Sequence, residues 1–79
     1  MDNVTSVPEP TPRQMRAARA FFKWTQPEAA QRFGIFVDTL RDIEGEKQQP
    51  QKTTVRAVGA ALVALGARFD DDGNMILPK

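Results

Sequence analysis

The absence of both cysteine and histidine constrains the fold of this chain more than any other feature of its sequence. Without these residues the protein can form neither disulfides nor the usual transition-metal sites, so no metal or cofactor is predicted. The 79 residues are enough for one domain with a modest hydrophobic core. We therefore expect any stabilisation beyond that core to come from a second copy of the chain.

Positive charge is concentrated in the middle of the sequence, although the net charge is only +1. Nine Lys or Arg residues stand against five acidic residues in 13–56, whereas both flanking segments are net acidic. Such a distribution suits a surface that faces phosphate groups. No apolar stretch approaches the roughly 20 residues that span a membrane, and the first residues lack the apolar core of a signal peptide. We therefore expect a cytoplasmic protein that does not contact membranes.

Start and stop signals predict a helical domain over residues 11–66, after a disordered arm over residues 1–10. Thr11 followed by proline is typical of the beginning of a first helix. The sequence TQPE, which starts at Thr25, is a capping box and predicts the beginning of a second helix. Gly34 is expected to end that helix in a left-handed conformation.

Two further helices are predicted after Gly34. The third carries Phe36, Leu40 and Ile43 on one face and ends near Gly45. The fourth is expected to be capped by Thr53 or Thr54 and to end at Gly66. Gly59 inside it would cost about 1 kcal/mol relative to alanine, which suggests close packing against another helix or a second subunit.

The tail, residues 67–79, changes from a helical to an extended pattern. Asp72 and Gly73 form a turn dipeptide between two short runs, which predicts a hairpin or an isolated edge strand. A lone hairpin is marginal in water, so the tail should dock on the helices or on a second chain. It is therefore a candidate dimerisation element. The acidic run that precedes Gly73 is interpreted as a solvated turn, because it lacks the alternation of a calcium loop.

Two short helices joined by a tight glycine turn are typical of a helix-turn-helix motif. The segments AARAFFKWTQPEAAQRFG and TLRDIEGEKQQP resemble the phage-repressor-like (XRE-type) family of regulators over about residues 13–66. The pieces that carry the resemblance are Trp24-Thr25-Gln26, Ala30, Gly34, Ile43-Glu44 and Pro50. It implies a compact all-α domain of four to five helices, which binds a near-palindromic operator in double-stranded DNA as a homodimer and acts as a repressor.

The resemblance also implies which side chains contact DNA. Gln26 would contact a phosphate or a flanking base, Thr39 would contact phosphate, and helix 3 would present its outward face to the major groove. It further implies a structural ion pair between Arg19 and Glu44. The implied DNA-binding residues are Thr25, Gln26, Val37, Asp38, Thr39, Arg41, Asp42, Lys47 and Lys52.

Helix 3 departs from the family pattern in ways that leave a second hypothesis open. Phe36 replaces the usual capping Ser or Thr, and it could be either a core residue or an exposed partner-binding residue. Asp38 and Asp42 stand where base-reading amides or basic residues are usual, and Arg41 could be held between them or could reach guanine. The alternative is therefore a helix-turn-helix protein-interaction module, such as an antiactivator or an antitoxin.

The remaining apolar and aromatic residues are assigned to packing. Phe21, Phe22, Trp24 and Phe33 are predicted to lie in the core. No nucleophile–base pair is apparent, so we do not expect an enzyme. The predicted homodimer interface consists of Val58, Leu62, Leu65, Phe69, Met75, Ile76 and Leu77.

Overall fold

In a computed structural model, which describes residues 8–47 and 49–78, the chain forms a bundle of helices followed by a β-hairpin. Within these residues the elements are α1 (Pro12–Phe22), α2 (Gln26–Phe33), α3 (Val37–Glu44), α4 (Lys52–Ala64), β1 (Arg68–Phe69) and β2 (Met75–Ile76). The predicted mostly helical fold with a C-terminal hairpin is therefore confirmed. No helix of the described ranges is both long and apolar enough to cross a membrane.

Thr11 and Thr25 begin α1 and α2 as predicted, and both do so in capping boxes, although the box is predicted only at Thr25. The Thr11 hydroxyl accepts from the Gln14 amide at 3.1 Å, and the Gln14 side chain accepts from the Thr11 amide at 2.9 Å. The corresponding distances between Thr25 and Glu28 are 3.3 and 2.8 Å. Each box satisfies backbone N–H groups that a helix leaves without internal partners. The local sequence alone therefore sets both helix starts.

The starts of α3 and α4 depend less on local sequence. Among the described residues, no side chain caps either helix, and the capping positions are held by Phe36 and Gln51. The prediction that Thr53 or Thr54 caps α4 is wrong. The helix begins earlier because Gln51, directly after Pro50, is extended and its carbonyl already accepts from the Val55 amide at 3.0 Å.

The core lies where the four helices meet. Ala29 and Ala30 are buried, and their small side chains let α2 approach α3 and α4 closely. The fully or almost fully buried apolar residues are Met15, Ala18, Ala29, Ala30, Phe33, Leu40, Ile43, Val55, Val58, Leu62 and Ala67.

Only part of the predicted aromatic core is buried. Phe33 is enclosed, whereas Trp24 and Phe22 are half-buried and their rings stack with centroids 4.5 Å apart. Arg32 lies over the Trp24 ring at 5.5 Å. The core assignment is wrong for Phe21, which is 44% exposed.

Gly59 packs closely against the N-terminal segment of the chain rather than against another helix. A β-carbon at Gly59 would lie 2.1 Å from the carbonyl oxygen of Pro8 and 3.1 Å from Pro10. Glu9 also lies 3.5 Å from Arg56 of the same helix. Residues 8–10 of the predicted arm therefore pack on α4, which differs from the predicted disorder, while residues 1–7 lie outside the described residues.

The hairpin docks on its own subunit. Arg68 pairs with Ile76 and Phe69 with Met75, and the Gln14 side chain of α1 donates to the Gly73 carbonyl at 2.8 Å. Phe69, Met75 and Leu77 are partly buried against the helical core.

The turn of the hairpin is held by Asp70, whose carboxylate accepts from the Asn74 amide at 2.8 Å and the Asp72 amide at 3.0 Å. These bonds hold the pKa of Asp70 below its ordinary value, with the Asn74 amide the largest cause.

Candidate nucleic-acid interface

The connection between α2 and α3 is tight and held by backbone hydrogen bonds. Gly34 ends α2 at φ 74°, a left-handed conformation that glycine adopts without penalty. The Ile35 amide then donates to the Ala30 carbonyl at 3.0 Å, and the chain enters α3 directly after Phe36. The angle between the two helices is therefore set by three residues.

The beginning of α3 faces solvent. Phe36 is 83% exposed, so the structure decides between the two roles left open for it, in favour of exposure. Asp38 and Asp42 are also exposed, whereas Val37 and Thr39 are half-buried. The protruding side chains of this helix are thus an aromatic ring and charged groups.

Arg41 is held by one of its two acidic neighbours. Its Nη1 atom lies 2.9 Å from Oδ1 of Asp38, and both side chains are exposed. With Asp42 added, the outward face of α3 carries two negative charges and one positive charge. The face is therefore slightly acidic, unlike a surface selected only for attraction to phosphate.

A buried carboxylate fixes the inner side of α3 to the helices behind it. Glu44 is 7% exposed. Arg19 of α1 donates to it from Nε at 2.9 Å and from Nη2 at 3.0 Å. The Gln26 amide of α2 donates to the same carboxylate at 3.1 Å. The predicted pair of Arg19 and Glu44 is thus present as part of a cluster that connects three helices.

The contact of Gln26 with Glu44 differs from the role implied for it at a phosphate. Its side chain is half-buried and donates to the Glu44 carboxylate, which is an internal contact that the resemblance does not imply. The exposed Thr25 accepts from the Glu28 amide as a helix cap, which leaves its hydroxyl free to donate to a phosphate. The Thr25 backbone amide in turn holds the pKa of Glu28 below its ordinary value.

Arg16 has a structural role that is not predicted from the sequence. Its guanidinium donates to the Glu44 carbonyl at the end of α3 and lies 3.3 Å from the Glu46 carboxylate. A cation at a helix C-terminus is favourable because it meets carbonyls that lack internal partners. The signal that could have found it is the spacing of Arg16 and Arg19, which places both on one face of α1.

The two lysines predicted to contact DNA backbone lie on either side of the α3–α4 connection. Lys47 and Lys52 are exposed, and both border an open cleft whose walls include Glu9, Glu46 and Pro50. Their ammonium groups are therefore accessible to a phosphate chain passing over this end of the molecule. The cleft also carries negative charge, which reduces the net positive potential there.

The predicted dimer interface is only partly accessible. Val58 and Leu62 are completely buried within one subunit, so their assignment to the interface is wrong, because each is needed to fill the core between the helices. Leu65, Phe69, Met75 and Leu77 are half-buried. Ile76, at 47% exposure, is the most accessible of the set.

Within residues 8–47 and 49–78, no three acidic side chains come together as a metal site would require. No family model, curated protein sequence or solved structure matches the chain.

Proposed function

We propose that this protein is a sequence-specific DNA-binding regulator, in which α2 and α3 act as a helix-turn-helix and α3 enters the major groove. The observation that carries the proposal is the tight, glycine-ended connection that leaves the first turn of α3 exposed. A helix that reads DNA needs this exposure, because its N-terminal residues must reach base edges. The resemblance to phage-repressor-like regulators supports the same role and favours a repressor that binds as a homodimer.

The anchoring of α3 also suits this role. Arg16 and Arg19 reach α3 from α1, and Gln26 reaches it from α2. A recognition element must be held firmly by residues behind it, because a displacement of about 1 Å misplaces its contacts. The inner side of α3 is thus fixed while its outer side stays accessible.

The exposed side chains of α3 favour pyrimidines as their targets. An aromatic or aliphatic side chain in the major groove can pack against the thymine methyl group, and a carboxylate can accept from the cytosine amino group. Phe36 supplies the first chemistry, and Asp38 and Asp42 supply the second. Because Asp38 already holds Arg41, we expect Arg41 to contribute less to base reading than Phe36 does.

Selection from a random duplex library at two salt concentrations tests the proposal. We expect enrichment of a near-palindromic sequence, rich in thymine at a fixed position of each half-site. The enriched sequence should be retained more strongly than the starting library at the higher salt concentration, because base contacts add to the salt-sensitive phosphate contacts. Retention without enrichment at either salt concentration would contradict sequence-specific binding.

Replacement of thymine by deoxyuridine then tests the contact of Phe36, because it removes only the methyl group. The wild-type protein should lose roughly 5- to 10-fold in affinity, as expected for one apolar contact of about 1 kcal/mol. Phe36→Ala should bind both duplexes equally. Phe21→Ala, which truncates an exposed phenylalanine on α1, is the matched control and should still discriminate between them.

A second candidate function is protein binding, and the composition of the α3 face favours it. A ring that is 83% exposed, on a face that also carries Asp38 and Asp42, is more typical of a protein-binding surface than of one that meets phosphates. In that case no duplex would be enriched. Phe36→Ala would instead abolish the binding of a partner with basic and apolar side chains, whereas Phe21→Ala would not.

A further inference from the structure

The outer edge of β2 has backbone groups that point away from the hairpin. The Asp70 amide donates to the Asn74 carbonyl at 3.0 Å, and Arg68 pairs with Ile76. Hydrogen-bonded and non-hydrogen-bonded pairs alternate in an antiparallel ladder, so the N–H and C=O groups of Met75 are directed outward. Leu77, two residues on, continues in the same direction.

These outward groups do not find partners within the described part of the chain. Apart from bonds within the hairpin itself, which the register directs to the opposite side, residues 8–47 and 49–78 show no backbone hydrogen bond to the amide of Met75 or Leu77. The outer edge of β1 is shorter, because the Ala67 amide before it is already bonded to the Leu62 carbonyl at 2.9 Å. The β2 edge is therefore the longer of the two available edges.

Pro78 leaves the outer edge of β2 intact. The register of the hairpin places Pro78 opposite Gly66, and a β-carbon on Gly66 would lie 3.2 Å from the side chain of Pro78. Proline lacks an amide hydrogen, but at this position the missing donor would have faced β1. The donors of Met75 and Leu77 on the outer side are unaffected.

The β2 edge also lacks the charges by which natural sheets prevent unwanted pairing. The residues from Met75 to Pro78 are all uncharged, whereas β1 contains Arg68 and is followed by Asp70. Two copies of β2 can therefore approach without repulsion. The exposure of Ile76, at 47%, provides an apolar contact on the outer face of the sheet.

From these observations we propose that β2 pairs antiparallel with β2 of a second copy of this chain, forming a continuous four-stranded sheet. Met75 of one copy faces Leu77 of the other, and each such pair exchanges both backbone hydrogen bonds. Ile76 lies on the two-fold axis and faces Ile76 of the second copy. The β2 edge is self-complementary in this register, because both strands contribute the same uncharged residues and the same outward donors and acceptors.

The small interface between the two β2 strands predicts a weak dimer. Three residues per copy bury much less than the roughly 1,200 Å² of a stable interface, so we expect dissociation in the micromolar range or above. The dimer does not depend on DNA binding by α3. A duplex that contains one half-site tests DNA binding by the single subunit, so the two proposals can fail separately.

Charge substitutions at the two-fold axis test the pairing and its register. Ile76→Lys would place two lysines opposite each other, with their β-carbons about 5 Å apart. Because the two ammonium groups repel each other, the dissociation constant should rise roughly tenfold or more. Ile76→Glu should also weaken the dimer, but by less, because Arg68 faces the same position and offsets part of the repulsion. An equimolar mixture of the two variants should regain the dimer as a heterodimer, and Ile76→Thr, which keeps a branched side chain, should stay dimeric.

Sedimentation equilibrium of the full chain over micromolar to millimolar concentrations measures each of these states. Circular dichroism confirms that each variant remains folded, and restored dimerisation in the mixture gives the same assurance. A wild-type protein that stays monomeric throughout would overturn the proposal. So would an Ile76→Lys variant that dimerises as well as wild type, or a mixture of the charged variants that stays monomeric.

Discussion

At the scale of single residues, the position of the Glu44 charge requires a physical explanation. A carboxylate that is 7% exposed would lose most of its hydration. Arg19 and Gln26 replace that hydration with hydrogen bonds of 2.9 to 3.1 Å. Because the Arg19 side chain keeps 28% of its surface exposed, the free-energy cost of desolvation is smaller for this ion pair than for a fully buried one.

Neutralising Glu44 should therefore destabilise the fold. Glu44→Gln keeps the shape of the side chain but leaves the Arg19 charge without its partner, and we expect a loss of about 2 kcal/mol in the free energy of unfolding. Urea denaturation measures the change. Glu46→Gln is the control, because the contact of Glu46 with Arg16 is largely exposed and should be worth less than about 0.5 kcal/mol. Equal losses in the two variants would contradict the special role of Glu44.

At the scale of elements, α2 and the hairpin turn each depend on an ionised carboxylate. The Thr25 amide holds the pKa of Glu28 low, and the Asn74 amide does the same for Asp70. A carboxyl group whose pKa is lower in the folded state stabilises the fold above its unfolded pKa. That stabilisation is lost as the pH falls through the folded pKa.

Acidification below about pH 4 should therefore weaken α2 and the turn. Glu28→Gln retains an acceptor for the Thr25 amide but cannot be protonated, so its melting temperature should fall less steeply with pH than that of the wild type. Asp70→Asn should behave similarly at the turn. Thermal melts between pH 2 and pH 7, as an approximate range, measure both effects. Parallel curves for wild type and both variants would show that these two groups do not set the acid response.

The N-terminal segment and α4 form a second element-scale unit at Gly59. Gly59→Ala should raise helix propensity by about 1 kcal/mol. In the full chain, however, the new methyl group would clash with the Pro8 carbonyl, so the cost of overpacking should exceed the propensity gain and leave a net loss of about 1 kcal/mol or more.

Removal of residues 1–9 provides the control for this substitution. With Pro8 absent, the same substitution should stabilise α4, because the propensity gain then outweighs the remaining close contact with Pro10. Urea unfolding of the four proteins in this cycle measures the sign change. If Gly59→Ala changes the free energy of unfolding equally in both backgrounds, the N-terminal segment does not pack against α4 in solution.

At the scale of the whole molecule, the net charge contributes little to the affinity for DNA. The total is only +1, and several basic side chains are already paired with acidic ones, such as Arg16 with Glu46 and Arg56 with Glu9. Phosphate contacts should therefore depend on a few accessible lysines rather than on a broad positive field.

Lys47→Ala should weaken binding to every duplex, because a phosphate contact carries no sequence information. The slope of the logarithm of affinity against the logarithm of salt concentration should become shallower by about 1. Lys23→Asn removes the same charge from the end of α1, at a left-handed position that asparagine tolerates, and should leave the slope unchanged. Fluorescence anisotropy across a salt series measures both, and identical slopes for wild type and Lys47→Ala would place phosphate contacts elsewhere.

The elements that could be predicted from sequence depend on residues close together in the chain. The capping boxes of α1 and α2 connect residues three apart, and the left-handed end of α2 needs only Gly34. The turn at Gly73 is similarly local. Such features are encoded by short-range hydrogen bonds and by the freedom of glycine, so the sequence by itself determined where these elements begin and end.

Tertiary structure decided the features that depend on which surfaces meet. Val58 and Leu62 are apolar on a helix that is apolar over much of its surface, so their pattern does not distinguish the core of one subunit from a dimer interface. Gln26 of α2 contacts Glu44 only because α3 packs against α2. The exposure of Phe36 follows from the angle at which α3 leaves the turn. These outcomes depend on long-range packing, which a local pattern of residue types does not specify.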